Sequence, residues 1–465
     1  MRRRGASHTS IAASQAGGEG QTGTEDPSAA GAQPRAPQPI TARGAVSRRR
    51  FLAGGGAALA VGAAELAGVG SALGAGQALA AARTGGGIEP FYGPHQGGVI
   101  TPAQDQTCLA SFDLLAERRS EVADLLRHWS ELGARMCAGK TAAPLGSPHR
   151  VVADTGEAIG LAPGRLTLTF GFSPTLFAKE GEDRYGLASR RPAALVELPT
   201  FQGDEINAEI SGGDITVQAC SEDPQVAFHA IRQLARYANG AARLRWAQTG
   251  FQTAATTNDT PRNLLGFKDG TANPSIRDPA LMSRFIWVGG EGPSWMRGGT
   301  YMVYRRVRTT IERWDTLTTA QQERIIGRHK LSGAPLGEKS ELAPLDLNAT
   351  DREGEQVIPE DAHVRLAAPQ NNGGVRILRR VYNYNDGLDQ FTERWPPWRQ
   401  GLEYDIGLLF CAYQRDPRTG FIRIFKNLAI NDSLNQFSTH TASTIVAVAP
   451  GAPRPGCWIG ERLFS

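Results

Sequence analysis

Hydrophobic positions recur along residues 109–448 with two spacings, one of a helix and one of a strand. Val122, Leu125, Leu126, Trp129, Leu132 and Met136 fall three or four residues apart, which predicts an amphipathic helix over 120–138 with one buried stripe. Val226, Ala227, Ala230, Ile231, Leu234 and Ala235 predict a second helix over 224–239. Around them, 109–114, 165–170 and 214–219 are short apolar or alternating runs, the pattern of buried and half-buried strands. A similar order returns later: a strand over 300–307, a helix over 319–327, and apolar strands over 406–413 and 444–448 with a helix expected between them. The elements thus divide into two halves, 81–260 and 261–465, without close sequence repetition. The pattern alone says α+β, and the order in the first half is that of a ferredoxin-like unit.

The first eighty residues break this pattern. Residues 1–46 are rich in Gly, Ala, Ser, Gln, Pro and Arg without periodicity, a composition that predicts disorder. Ser47-Arg48-Arg49-Arg50-Phe51-Leu52 then precedes a weakly apolar run from Ala53 to Leu73, interrupted by six glycines and Glu65. The run is long enough to span a bilayer but too weakly hydrophobic to anchor there. Twin arginine before Phe-Leu and a Gly/Ala-rich stretch is the pattern of a twin-arginine export signal. Ala78-Leu79-Ala80 supplies a cleavage site, so the mature chain is expected to start near Ala81. The expectation for 1–80 is therefore a disordered leader and a signal peptide read by the twin-arginine translocase. The destination is extracellular, periplasmic or the cell envelope, with no stable membrane span. That route carries folded proteins, as a chain loaded with a cofactor before export requires.

Bulk composition narrows the partners. A net charge of +4 on 465 residues, with no nucleic-acid-reading motif, gives no case for DNA or RNA. The five cysteines are scattered without a CxxC pair, which argues against a structural zinc and against a disulfide framework.

Candidate chemistry concentrates in three stretches. Gly266-Phe267-Lys268-Asp269-Gly270-Thr271-Ala272-Asn273-Pro274 sets a carboxylate between glycines, which permit positive φ and close approach of backbone to a ligand. Taken alone, Asp-Gly is a turn dipeptide. Asp361-Ala362-His363-Val364-Arg365 holds a histidine, a residue more often structural than ligating when it stands alone. Ile377-Leu378-Arg379-Arg380 follows shortly after.

In this order the three stretches resemble the GxxDG, proximal-histidine and distal-arginine motifs of dye-decolourising (DyP-type) haem peroxidases. The Gly-rich arm Pro90–Val99 is similar to the N-terminal segment of the exported members. The resemblance implies two ferredoxin-like halves forming a dimeric α/β-barrel-type unit, with the haem site in the C-terminal half. It implies haem b as cofactor, reduction of hydrogen peroxide through a ferryl intermediate, and oxidation of dyes, phenols or other bulky organic reductants. It makes His363 the iron ligand, Asp269 and Arg379 the catalytic pair, and Arg365 a propionate partner. Lys268, Gly270 and Thr271 become further cofactor contacts. It leaves room for a homo-oligomer. Two alternatives stand beside it: a haem-handling protein that releases iron as a deferrochelatase does, and a non-catalytic haem-binding module.

Strand alternation puts Val375, Ile377, Arg379 and Val381 on one face and Arg376, Leu378, Arg380 and Tyr382 on the other; the resemblance selects Arg379. Two positions depart from the family pattern. Val381 stands where glycine is usual, and Gln436 aligns with the carboxylate that partners the proximal histidine, with Asp432 as the nearby substitute. With Gln436 in that role the imidazole is less anionic and the iron potential higher than in relatives. Trp287, Trp295, Trp314, Tyr382, Tyr384, Trp395 and Trp398 could relay electrons from surface-bound dyes, although packing is the commoner role of such residues.

Overall fold

Eight strands form the frame of the computed structural model, which describes residues 87–144, 152–253, 259–392 and 400–465. The expected leader and signal over 1–80, and Trp395 and Trp398, lie outside the described residues. The strands are β1 Gln106–Leu114, β2 Thr167–Phe172, β3 Ile215–Ser221, β4 Ala242–Phe251, β5 Thr300–Thr309, β6 Leu378–Thr392, β7 Gln400–Gln414 and β8 Ser438–Val448. They close into one barrel in the order β1-β3-β2-β8-β5-β7-β6-β4, with antiparallel pairing throughout. The first four strands run β4-β1-β3-β2 and the last four run β8-β5-β7-β6, the same order twice. The halves meet at single residue pairs, Phe172 with Ala447 and Phe251 with Asn383. The Gly-rich arm seals one of these seams, because buried Gln96 donates to Phe170 O at 3.0 Å and to Ala449 O at 2.9 Å.

Helices α1 Arg119–Cys137 and α2 Pro224–Tyr237 fall on the predicted stripes, α3 Thr319–Ile326 and α5 Phe421–Asn431 fall where helices are expected, and α4 His363–Ala367 is a short helix the pattern does not predict. Helix α2 starts where it does because Asp223 accepts from the Gln225 and Val226 amides and Pro224 needs no amide partner. Helix α3 is opened by a Thr318/Gln321 capping box and closed by Gly327 at φ 86°. Helix α1 buries Val122, Leu125, Leu126 and Trp129. The Trp129 ring lies 4.9 Å from Phe112 and its Nε1 donates to Leu234 O. Truncating a residue so enclosed costs about 3–5 kcal/mol.

Strand β4 escaped the pattern reading. Only Ala242, Trp246 and Gly250 of its ten residues are buried, so the sequence shows no period of two. Its neighbour β1 carries a register shift at Ser111/Phe112, which further breaks the alternation. Strand β2 starts later than expected, because Arg165 adopts φ 55° in a turn and pairs with Glu89 and Glu222. Inside the barrel, Leu109, Cys220, Trp246, Tyr304, Tyr382, Cys411 and Val446 pack in one cluster. All five cysteines are free, and among the described residues no helix is long and apolar enough to cross a membrane.

Candidate active site

Alternation along β6 and β7 decides what faces outward from the barrel in the second half. Leu408 pairs with Val307 and Phe410 with Val381, so these side chains share the outer face with Arg379. Leu378 and Tyr382 turn into the inner cluster, and Arg380 is buried with its guanidinium donating to Thr101 O and Gln104 Oε1. Helices α4 and α5 stand off from that outer face. The gap is a cavity of about 250 Å³, walled by Val307, Leu408 and Phe410 from the sheet and by Val364, Ile424 and Leu428 from the helices.

The GxxDG stretch forms one edge of this cavity. Asp269 N donates to Pro261 O at 2.9 Å, and residues 262 and 268 form an antiparallel bridge, so the segment is a small hairpin. Asn263 is its hub: Oδ1 accepts from the Leu265 and Phe267 amides and Nδ2 reaches Asp269 Oδ2 at 3.4 Å. Gly266 and Gly270 sit at φ +84° and +126°, a conformation that any side chain at these positions would strain. Arg379 Nη1 donates to Asp269 Oδ1 at 2.8 Å. Asn273 locks the two elements together, its amide bonding both the N–H and the C=O of Arg379. The Asp–Arg pair therefore belongs to a braced unit of loop and strand.

His363 opens helix α4 on the helical wall. Its Nδ1 donates to Asp432 Oδ2 at 2.6 Å, which directs Nε2 to serve as the lone-pair donor. Burial pushes the imidazole pKa down, but the Asp432 carboxylate outweighs burial and holds it above its ordinary value. Asp432 is itself fixed, 3 % exposed, with Oδ1 accepting from Leu434 N at 2.9 Å.

These residues fit a haem rather than a bare ion. Among the described residues no group of three or more His, Cys, Asp or Glu side chains could hold a metal. Two imidazoles, His363 and His440, line the cavity and make no closed metal site by themselves, so an iron held there must bring its own equatorial ligands. The cavity supplies apolar walls for a macrocycle and, besides the Asp269-bonded Arg379, the cations Arg328 and Arg376 for its carboxylates.

Residues 96–252 match the family model described as Dyp-type peroxidase, N-terminal, and residues 260–453 match Dyp-type peroxidase, C-terminal. The chain belongs to the dye-decolourising (DyP-type) peroxidase family. It is 38% identical over 458 residues to the dye-decolorizing peroxidase of Thermobifida fusca (strain YX), covering 92% of this chain and 99% of that one. Ferric DtpA from Streptomyces lividans superposes with a TM-score of 0.73 at 40% identity, over 82% of this chain and 98% of that structure. The deferrochelatase of Escherichia coli (strain K12) is 32% identical over 385 residues, covering 81% of this chain and 87% of that one. The protein is accordingly a haem peroxidase, an oxidoreductase that takes hydrogen peroxide and a reductant.

Against this DyP frame, two residue assignments change. Arg365, expected as a propionate partner, does not line the cavity, and its Nη1 donates to Leu347 O, Ile358 O and Gln356 Oε1. Adjacency to His363 in sequence misled, because a helix turns residues two apart to different sides. Arg328 supplies a cation instead; it lines the cavity with one nitrogen on Gly333 O and Glu341 O. Gln436 is exposed, and the histidine's carboxylate is Asp432. The imidazole is therefore not deprived of its anionic partner, and the expected rise in iron potential loses its cause. Lys268, Gly270 and Thr271 do line the cavity. The Lys268 ammonium is committed to Asp259 and Glu341, which hold its pKa above the ordinary lysine value. Glu341 also accepts from Thr260 and Thr271, tying a loop remote in sequence to the GxxDG hairpin. Asn263, Asn273, Arg328 and Glu341 were missed by sequence reasoning; the asparagines bracket the motif, but nothing local marks the other two. Trp314, Tyr382 and Tyr384 are buried and packed.

Proposed function

We propose that Asp269 and Arg379 carry out the proton and charge work of peroxide reduction while His363 holds the haem. The observation that carries this is the 2.8 Å Arg379–Asp269 pair lining the same cavity as a histidine already oriented by a carboxylate. Haem bound there supplies the redox chemistry that cleaves hydrogen peroxide. The Asp269 carboxylate accepts a proton from the incoming peroxide oxygen and returns it to the departing one. The Arg379 guanidinium, charged at every working pH, stabilises the negative charge that develops as the O–O bond breaks. His363 donates through Nε2, with Asp432 fixing its ring. Apolar walls on both sides keep bulk water from the reacting oxygens.

The organic substrates fitting this reading are dyes, phenols and other bulky reductants that give electrons from outside the cavity. The repeated order β4-β1-β3-β2 and β8-β5-β7-β6 supports two ferredoxin-like halves, 81–260 and 261–465, in a dimeric α/β-barrel arrangement. The twin-arginine pattern over 47–80 supports export by the translocase to the cell envelope or beyond. A homo-oligomer is compatible with this reading.

Stopped-flow mixing of the haem-loaded protein with hydrogen peroxide tests the reading. Rapid loss of the resting Soret band is expected for the wild type and strong slowing for Asp269→Asn and Arg379→Leu; unchanged rates in both would remove them from the mechanism. The deferrochelatase relatives favour a second reading, iron release from haem. Metal-free protoporphyrin among the products of incubation with haem and a reductant would support it.

A further inference from the structure

A second and much smaller cavity lies beside Asp269. It measures about 10 Å³, room for roughly one water molecule. Its wall includes Gln252, Arg262, Asn263, Asp269, Val381 and Asn383. Asn263, Asp269 and Leu408 also line the large cavity, and of these three only Asp269 exchanges protons. The carboxylate is thus shared between the haem cavity and the small one.

Asn383 supplies the independent observation. It lies on the same face of β6 as Arg379 and Val381 and is 6 % exposed. Its Nδ2 donates to Arg262 O at 3.1 Å, but its Oδ1 is buried with no hydrogen-bond partner. An unsatisfied buried amide oxygen costs about 1–3 kcal/mol, and a water donating to it offsets that cost. Val381, which replaces the family's usual glycine, narrows the space. The rim reaches solvent at exposed Arg262, whose guanidinium is drawn off by the carbonyls of Gly266, Lys330 and Leu331.

The reaction has a use for such a place. Reduction of one H₂O₂ to two H₂O consumes two electrons and two protons. Asp269 moves the peroxide's own proton from one oxygen to the other, which leaves the count unchanged. A bulky reductant that gives electrons from outside leaves its protons outside, so the enclosed site needs a separate supply. We propose that the small cavity holds one water, donating one O–H to Asn383 Oδ1 and the other to Asp269, and that this water delivers the reaction's protons. As it gives a proton to the carboxylate it takes one from bulk water at the Arg262 rim and stays neutral.

The inference rests on Asp269 as the proton-handling group, and the test separates the two. Stopped-flow on the haem-loaded protein resolves a first phase, loss of the resting Soret band with hydrogen peroxide. The second phase is return of that band with ferrocyanide, which brings electrons and no protons. Asp269→Asn should slow the first phase; if it does not, the underlying reading fails. Asn383→Leu, and Val381→Leu as a filling change two residues away on the same face of β6, should retain haem and slow the second phase about tenfold more than the first, with a larger solvent isotope effect on the second. Asn383→Ser, which keeps an oxygen and room for water, should recover most of the second phase. A crystal structure of the wild-type holoenzyme should show an ordered water within about 3.2 Å of Asn383 Oδ1. An empty cavity in that structure, or equal effects of the filling variants on both phases, or no effect on either, overturns the proposal. Should Asn383→Leu fail to fold, Val381→Leu and the wild-type water decide it alone.

Discussion

The two carboxylates of the haem cavity are held in contrasting ways. Asp432 is 3 % exposed and saturated, bonded to His363 Nδ1 at 2.6 Å and to a backbone amide at 2.9 Å. Asp269 is more open, with one good bond to Arg379 at 2.8 Å and one long contact of 3.4 Å to Asn263. A bond at 3.4 Å is weak, so the second oxygen of Asp269 is left nearly free. The difference teaches how one fold separates two tasks. A carboxylate that only orients a ligand is buried and fully bonded. Asp269, the one proposed to gain and lose a proton, is left accessible on one oxygen and placed beside a permanent cation.

Breaking the helical wall should have the largest effect. His363→Ala removes the only imidazole bonded to Asp432 among the described residues, and we expect purified protein with almost no Soret absorbance per protein absorbance. Retention of wild-type haem and spectrum would move the ligand elsewhere. Breaking the other wall should spare the cofactor and strike the rate. Asp269→Asn is expected to slow peroxide-driven bleaching by about 10²–10⁴-fold, and Arg379→Leu by about 10²–10³-fold, each with normal haem content. If either variant loses haem instead, the two walls do not divide the work as described.

A smaller effect should follow from loosening the saturated carboxylate. Asp432→Asn keeps the shape and removes the charge, so haem affinity should fall about 10–100-fold and the iron midpoint potential should rise, measured by spectroelectrochemistry. An unchanged potential would mean that the carboxylate orients the ring without tuning its basicity. Least affected should be Arg365→Ala. That side chain braces backbone carbonyls of the loop before α4, so we expect unchanged haem content and a stability loss of about 1–3 kcal/mol by denaturant unfolding. Loss of haem binding there would restore Arg365 to the site.

The three motifs were legible because each has a local reason that a sequence displays. Gly266 and Gly270 are needed for positive φ, and Arg379 and Arg380 are separated by strand parity alone. The residues that were not legible act across long distances in the chain. Glu341 meets Thr271 and Lys268 through a loop with little regular structure, and Arg328 reaches the cavity from the end of α3. No spacing in the sequence encodes such meetings. Strand β4 was unreadable for another reason, since most of its residues are exposed and its inner positions are not uniformly apolar. The alignment that favoured Gln436 over Asp432 failed at the turn after α5, where a displacement of four residues takes a side chain from buried to exposed.

By itself the sequence determined the α+β class, the two stripes of α1 and α2 and the family, and it picked out the three stretches whose residues His363, Asp269 and Arg379 line one cavity. Hydrophobic period, glycine placement and short motifs are properties of neighbours along the chain. Tertiary structure alone decided that the strands close into one barrel and that Asp432 holds the histidine. It also decided that Arg365 faces away and that Asp269 is shared between two cavities. Those outcomes depend on which side chains of distant segments reach the same small volume, and that is set by packing of the whole barrel rather than by any local pattern.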